Sequence, residues 1–158
     1  MNTYLGACVE LGPEDVDADI VAASKVTYFE GYLWDPPRAK DAFRLAAEIA
    51  HANGQKVSIT LSDPFCVDRY RGEFLELMRN DTVDIIFANE AELKSLYETA
   101  DMATALSLIK EDVDLAAITR SEHGSIVVSG DELIEVTGEP VRIDGVSSRG
   151  TKDEVVVL

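Results

Sequence analysis

Three polar clusters in the chain have residue types and spacing suited to chemistry. The first is Asn89-Glu90-Ala91-Glu92, directly behind the apolar run VDIIFA. An amide oxygen and a carboxylate three residues apart at a helix start can organise Mg²⁺, directly or through waters. The same spacing is that of a capping box, with Asn at the N-cap and Glu at N3 satisfying orphan backbone donors. The two readings are compatible, because a capped helix start can also face a ligand. The second cluster is Thr119 to Gly124, TRSEHG. A strand-end hydroxyl at Thr119, the small Ser121 and the flexible Gly124 let backbone come close to a nucleotide. A plain turn uses the same residue types. The third is Ser62-Asp63-Pro64-Phe65. Ser62 or Asp63 can cap a helix with Pro64 at its first position; the alternative reading is a Phe65 that faces a ligand.

Other motifs fail on inspection. The tail segment GVSSRGTK, residues 145–152, has the Lys and hydroxyl of a P-loop in swapped order. Only six residues follow Lys152, too few for the helix a P-loop requires. No GxGxxG, GxSxG or HExxH occurs. His51 and His123 are isolated, and Cys8 and Cys66 form neither a CxxC nor a zinc-spaced cluster. Both thiols are expected to be buried in a reducing compartment.

Strands alternate with helices along the chain, and these elements must position the clusters. Expected strands are Thr3 to Val9, Lys25 to Leu33, Lys56 to Leu61, Val83 to Ala88 and Leu115 to Thr119. Expected helices run from Glu14 to Ala23, Arg38 to Ala52, Pro64 to Arg79, Asn89 to Tyr97 and Met102 to Lys110. Phe43, Ala46, Ala47 and Ala50 give the second helix one apolar face at i, i+3, i+4 and i+7. Ser125 to Val128 and Glu132 to Val136 read as a hairpin around Gly130-Asp131 near the C-terminus. The alternation predicts an α/β fold, a mostly parallel sheet with helices on both faces. Ligands in such folds sit outside the carboxyl ends of the strands. All three clusters follow a strand there.

Composition bounds the partners. The 158 residues suit one domain, with 46% hydrophobic and 28% charged residues. Fourteen Lys and Arg stand against thirty Asp and Glu, a formal net charge of −16. Such a surface repels phosphate backbones and anionic lipids, so neither nucleic acid nor membrane is expected as a partner. No apolar run approaches the roughly 20 residues of a membrane span. The opening MNTYL lacks a basic start and apolar stretch, so a cytoplasmic location is expected.

Five segments, taken in order, resemble the ribokinase-like (PfkB) carbohydrate kinase family, especially its adenosine kinase and sugar kinase members. MNTYLGA looks like the strand following the substrate lid, and YFEGYL, Tyr28 to Leu33, like a strand ending in Gly and an aromatic residue. SITLSDPF resembles the adenosine kinase segment with Ser-x-Pro-Phe. VDIIFANEAE carries the family's Asn-x-x-Glu motif, and AITRSEHGS is similar to the Thr-x-Gly-x-x-Gly turn that borders ATP, with Ser121 where Gly is common. The resemblance implies transfer of the ATP γ-phosphate to a sugar or nucleoside hydroxyl. Asn89 and Glu92 would organise Mg²⁺, Thr119, Ser121 and Gly124 would line the nucleotide site, and Met1, Thr3 and Phe65 would approach the substrate.

The family's catalytic piece is a Gly-Ala-Gly-Asp turn, whose N–H groups hold developing charge and whose Asp takes the hydroxyl proton. After Pro140-Val141-Arg142-Ile143-Asp144 the chain instead reads GVSSRGTKDEVVVL. Neither Asp144 nor Asp153 sits in such a turn, so no catalytic base is assigned. The expected organisation is a partial kinase domain over 1–143 and a divergent tail over 144–158. Such a fragment is expected to have little activity alone and to self-associate through exposed sheet edges. The alternative is a non-catalytic α/β binding module.

Overall fold

A computed structural model of the protein describes residues 6–139. Met1, Thr3 and the expected tail 144–158, with its P-loop-like segment, lie outside the described residues. Six strands form one sheet: β1 (Val26–Glu30), β2 (Lys56–Thr60), β3 (Ile85–Asn89), β4 (Leu115–Thr119), β5 (Ser125–Ser129) and β6 (Glu132–Val136). Spatial order equals chain order. β1 to β4 are parallel, and β5 and β6 add antiparallel as the expected hairpin.

Among the described residues five helices accompany the sheet: α1 (Ala18–Ala23), α2 (Pro37–Ala52), α3 (Pro64–Arg79), α4 (Glu90–Leu96) and α5 (Met102–Asp112). Each right-handed crossover adds the next parallel strand on the same side of the last. With no reversal of strand order, every crossover helix lands on one face of the sheet. A single core results, joining Phe29, Val57, Ile59, Ile86, Ala116, Ile118, Ile126 and Val128 of the strands to Phe43, Val67, Phe74, Leu93 and Ile109 of the helices. The α/β class and the hairpin thus agree with expectation. Among the described residues, however, the second sheet face carries no helix, because helices on both faces require the strand order to turn back.

Three local expectations need correction. The strand expected over Thr3 to Val9 is replaced, within the described residues, by a 3₁₀ turn at Gly6–Glu10. Gly6 takes φ 64°, which breaks an extended run. Cys8 is consequently exposed rather than buried, whereas Cys66 is buried as expected. The strand over Lys25 to Leu33 stops at Glu30, and Gly31–Trp34 forms a second 3₁₀ turn. A Cβ at Gly31 would stand 2.8 Å from the Thr60 carbonyl oxygen, so only glycine lets the chain cross the end of β2 this closely. That crossing carries Trp34 into the core, edge-on to Phe43, with its indole N–H donating to Glu73 at 2.8 Å. The helix over Glu14 to Ala23 is split, since Asp17 caps a new start by accepting from the N–H groups of Asp19 and Ile20.

Candidate functional site

The carboxyl ends of the parallel strands carry the polar clusters side by side. Asn89 closes β3 and Thr119 closes β4, and the two are register partners on adjacent strands, about 4.8 Å apart along the hydrogen-bonding direction. Asn89 is also the N-cap of α4. Its Oδ1 accepts from the Glu92 N–H at 2.9 Å, while its N–H and Nδ2 donate to the two Glu92 carboxylate oxygens at 2.9 and 2.7 Å. The capping box is therefore complete, and both oxygens of Glu92 are engaged by one residue. Glu92 is only 4% exposed. Burial raises its carboxyl above the ordinary range; the Asn89 N–H opposes that, and the nearby Asp63 charge adds to it.

Asp63 is near enough for its charge to act on Glu92, and it has the opposite bias. It caps α3 by accepting from the Cys66 N–H at 2.6 Å, and its other oxygen accepts from the Tyr32 hydroxyl at 2.6 Å. The Tyr32 hydrogen bond holds the Asp63 carboxyl below its ordinary value against the cost of burial. The same bond pushes the Tyr32 phenol up to about 12. Ser62 sits at φ 70° and accepts from the Tyr32 N–H at 3.2 Å. Burial raises the Cys66 thiol to about 11, which leaves it a neutral packing group. Phe65, in the first turn of α3, is 75% exposed. An aromatic ring in water at the ligand end of a sheet is placed to meet a flat apolar group.

The second cluster is a tight 3₁₀ turn, Ser121–His123, behind β4. Thr119 and Ser121 are exposed, and Ser121 adopts φ 51°. Gly124, at φ 84°, is buried, and a Cβ there would overlap the Val136 carbonyl oxygen and crowd Gly138. The glycine is thus required by the close approach of the chain leaving β6. Its neighbours Thr119 and Ser121 remain the accessible groups of this turn.

Sequence reasoning brings Asn89, Glu92, Thr119, Ser121 and Phe65 to one end of the sheet, and the structure holds them there. It missed Tyr32, whose link to Asp63 spans 31 positions in sequence, and it missed Arg120. Arg120 Nε lies 3.5 Å from Glu90 Oε2, and Glu90 also accepts from Lys94 at 2.5 Å. Two cations thus stand beside the strand ends in an acidic protein. The only signal was an arginine inside the TRSEHG turn. His123 is exposed, and His51 sits 2.9 Å from Asp84 at the opposite end of the sheet.

One hollow borders these features and another lies apart from them. An apolar pocket of about 240 Å³ opens beside the end of β1, between Cys8, Val9, Tyr32, Leu33 and Pro36. A polar hollow of about 310 Å³ lies between α2 and α3, bordered by Arg44, His51, Glu76 and Thr82. The second is far from the strand ends that carry the clusters.

The family model for pfkB family carbohydrate kinases matches residues 1–148. No curated protein matches the chain. An adenosine kinase from Sinorhizobium meliloti has a structure matching this one with a TM-score of 0.87 at 66% identity, over 89% of this chain and 43% of that one. A probable sugar kinase from Rhizobium etli matches with a TM-score of 0.88 at 61% identity, over 90% of this chain and 43% of that one. An E. coli protein described as a ribokinase II, bound to ATP and Mg²⁺, has the same fold at a TM-score of 0.75 and 23% identity, over 89% of this chain and 46% of that one. The chain spans less than half the length of these relatives.

Proposed function

The chain belongs to the pfkB family of carbohydrate kinases, and from that premise we propose that it supplies the nucleotide end of an ATP-dependent sugar or nucleoside kinase. One observation carries the reading. A buried carboxylate, Glu92, is pinned by Asn89 at the carboxyl end of β3, one strand away from the exposed Thr119.

The donor set fits Mg²⁺ of a particular kind. Among the described residues no group of three or more His, Cys, Asp or Glu is disposed to cage a metal, and both Glu92 oxygens are already occupied. Mg²⁺ keeps several waters and is often bound through one or two carboxylates plus substrate phosphates. Asn89 and Glu92 would hold such an ion through its waters, and the ion would offset phosphate charge near an acidic protein. Thr119 and Ser121 would donate to phosphate or ribose oxygens, with the chain turned at Gly124. Arg120 would contribute the one fixed positive charge directly behind β4. Phe65 would lie along the acceptor, a sugar or nucleoside, together with Met1 and Thr3. Phosphoryl transfer asks mainly for positioning and charge neutralisation, which these residues can supply without a covalent intermediate.

The same reading holds that the partial domain runs to residue 143, that the chain works in the cytoplasm and that isolated chains associate through the edges at β1 and β6. Among the described residues no helix is long and apolar enough to cross a membrane. Calorimetric titration with ATP in the presence and absence of Mg²⁺ tests the proposal. Binding that requires Mg²⁺ and weakens at least tenfold in Asn89→Ala is expected; Mg²⁺-independent binding, or none, overturns it. Binding without ADP release from a mixture containing adenosine or ribose would favour the non-catalytic module.

A further inference from the structure

The helix α3 is not one straight rod. It is broken at Tyr70, whose φ of −123° and ψ of 17° lie far from the helical values of about −63° and −42°. A break of this kind needs a cause. Proline is not the cause, because the only proline of α3 is Pro64 in its first turn. Gly72 makes the region permissive, but nothing stands within 4 Å of where its Cβ would be, so nothing there pulls the chain. Side chains from two neighbouring elements do pull. Asp35, at the end of the Gly31–Trp34 turn, accepts from the Tyr70 hydroxyl at 2.8 Å and from Arg69 at 3.0 and 3.2 Å. The Lys40 Nζ of α2 and the Arg69 guanidinium stand 4.6 and 5.5 Å from the centroid of the Tyr70 ring. On the other flank, Asp68 accepts from the Ser95 hydroxyl at 2.6 Å, and Arg71 Nε donates to the Ser95 carbonyl oxygen at 3.0 Å. The break is therefore gripped between the turn behind β1 and α4.

What the break does follows from what each half carries. The second half is sunk in the core by Phe74, Leu77 and Met78. The first half, residues 64–69, is anchored by Cys66 and Val67, and it brings its cap Asp63 and the exposed Phe65 to the ligand end of the sheet. Five positions separate Phe65 from Tyr70, about 7.5 Å of helix. Over that length a bend of about 20°, the threshold of a sharp kink, moves residue 65 by about 2.6 Å. A misplacement of about 1 Å already weakens a positioned contact. Asp35 and Arg69 are both exposed, and exposed ion pairs contribute little to stability. Direction rather than strength is what this cluster supplies. We infer that Asp35 and Tyr70 are positioning residues for the acceptor side of the site: they hold α3 bent, and the bend sets where Phe65 stands. The inference rests on Phe65 lying along a sugar or nucleoside; the bend itself does not.

The test compares the parent with Asp35→Ala, Tyr70→Phe and Asp35→Asn, and with Asp41→Ala, which removes an exposed carboxylate outside this cluster. Residual dipolar couplings of the amides in residues 64–69 and 71–79 measure the bend, and the Tyr70 Cα chemical shift reports its backbone angles. Asp35→Ala and Tyr70→Phe should straighten α3 and move Tyr70 into the helical range. Asp35→Asn keeps an acceptor oxygen and should keep the bend, as should Asp41→Ala. Thermal midpoints of all four should stay within about 4 °C of the parent. Calorimetric titration with adenosine should show affinity reduced at least about fivefold in the two straightened variants and at most about twofold in the other two, with Mg²⁺-ATP affinity unchanged throughout. A bend that survives Asp35→Ala overturns the inference, and so does a straightened α3 that binds adenosine as the parent does. A parent that binds neither adenosine nor ribose overturns the acceptor reading and the part of the bend in it, and the dipolar couplings still decide whether Asp35 holds the bend.

Discussion

Replacing Asn89 by Ala should be costly even with no ligand present. Asn89 Oδ1 accepts from the Glu92 N–H, and its Nδ2 donates to a carboxylate that is almost wholly buried. Loss of an N-cap acceptor costs about 1 kcal/mol. Loss of a hydrogen bond to a charged group costs about 1.5–3 kcal/mol, and burial leaves little water to replace it. The sum is about 2.5–4 kcal/mol, which in a domain of this size lowers Tm by roughly 5–15 °C. The pH dependence has a definite sign. Burial already raises the Glu92 carboxyl above its ordinary value, and removing the Asn89 amide raises it further. A group raised in the folded state contributes stability that is present below its unfolded value and lost as pH rises through the folded one. The deficit of Asn89→Ala should therefore be largest at neutral pH and shrink in acid, where Glu92 carries its proton. Urea unfolding of parent and variant at pH 7 and pH 4.5, followed by circular dichroism, measures it. A deficit below about 0.5 kcal/mol at pH 7, or one that grows on acidification, would refute the structural role given to this pair.

Three further outcomes are expected. At the other end of the sheet, Asp84 accepts from Lys56 at 2.6 Å and the Val57 N–H at 2.7 Å, and His51 lies 2.9 Å away; burial opposes them, but together these contacts hold its carboxyl below the ordinary aspartate value. Its contribution is present above that value and lost as pH falls through the depressed one, so Asp84→Asn should cost about 1–3 kcal/mol at neutral pH and converge with the parent in acid titrations monitored by fluorescence of Trp34. Gly124→Ala meets the Val136 carbonyl and an unfavourable φ, so it should cost at least about 2 kcal/mol and strip hydrogen-exchange protection from β6 before β3. Ser121 already occupies φ 51°, so Ser121→Gly, which restores the family's common residue, should leave thermal stability within about 1 kcal/mol of the parent.

Much of the site was legible because it is built from local rules. Asn89 and Glu92 are three residues apart, and a capping box needs no distant partner to be foreseen. Pro64 behind Asp63 announces the start of α3 in the same way. The order of strands and helices was legible from apolar periodicity, and with it the fact that the clusters end strands. Tyr32 was not legible, because nothing near it in sequence marks Asp63 as its partner. The 3₁₀ turn at Gly31–Trp34 was hidden by β-forming residue types; what ends the strand is the closeness of the Thr60 carbonyl to Gly31. The described part of the strand expected over Thr3 to Val9 is a 3₁₀ turn instead, because Gly6 takes a left-handed φ that an extended run does not hold.

The sequence by itself determined the helix caps, the strand-helix alternation, the acidic charge and the family likeness, all properties of neighbouring residues or of composition. Only the tertiary structure decided which residues share the cleft, why Gly124 must be glycine and which sheet face holds the helices. Those outcomes depend on the direction in which successive crossovers wind and on how closely backbones approach, and neither is written in any one stretch of chain. Strand order without reversal sends every helix to the same side. It leaves Phe87 and Ile134 in water on the other.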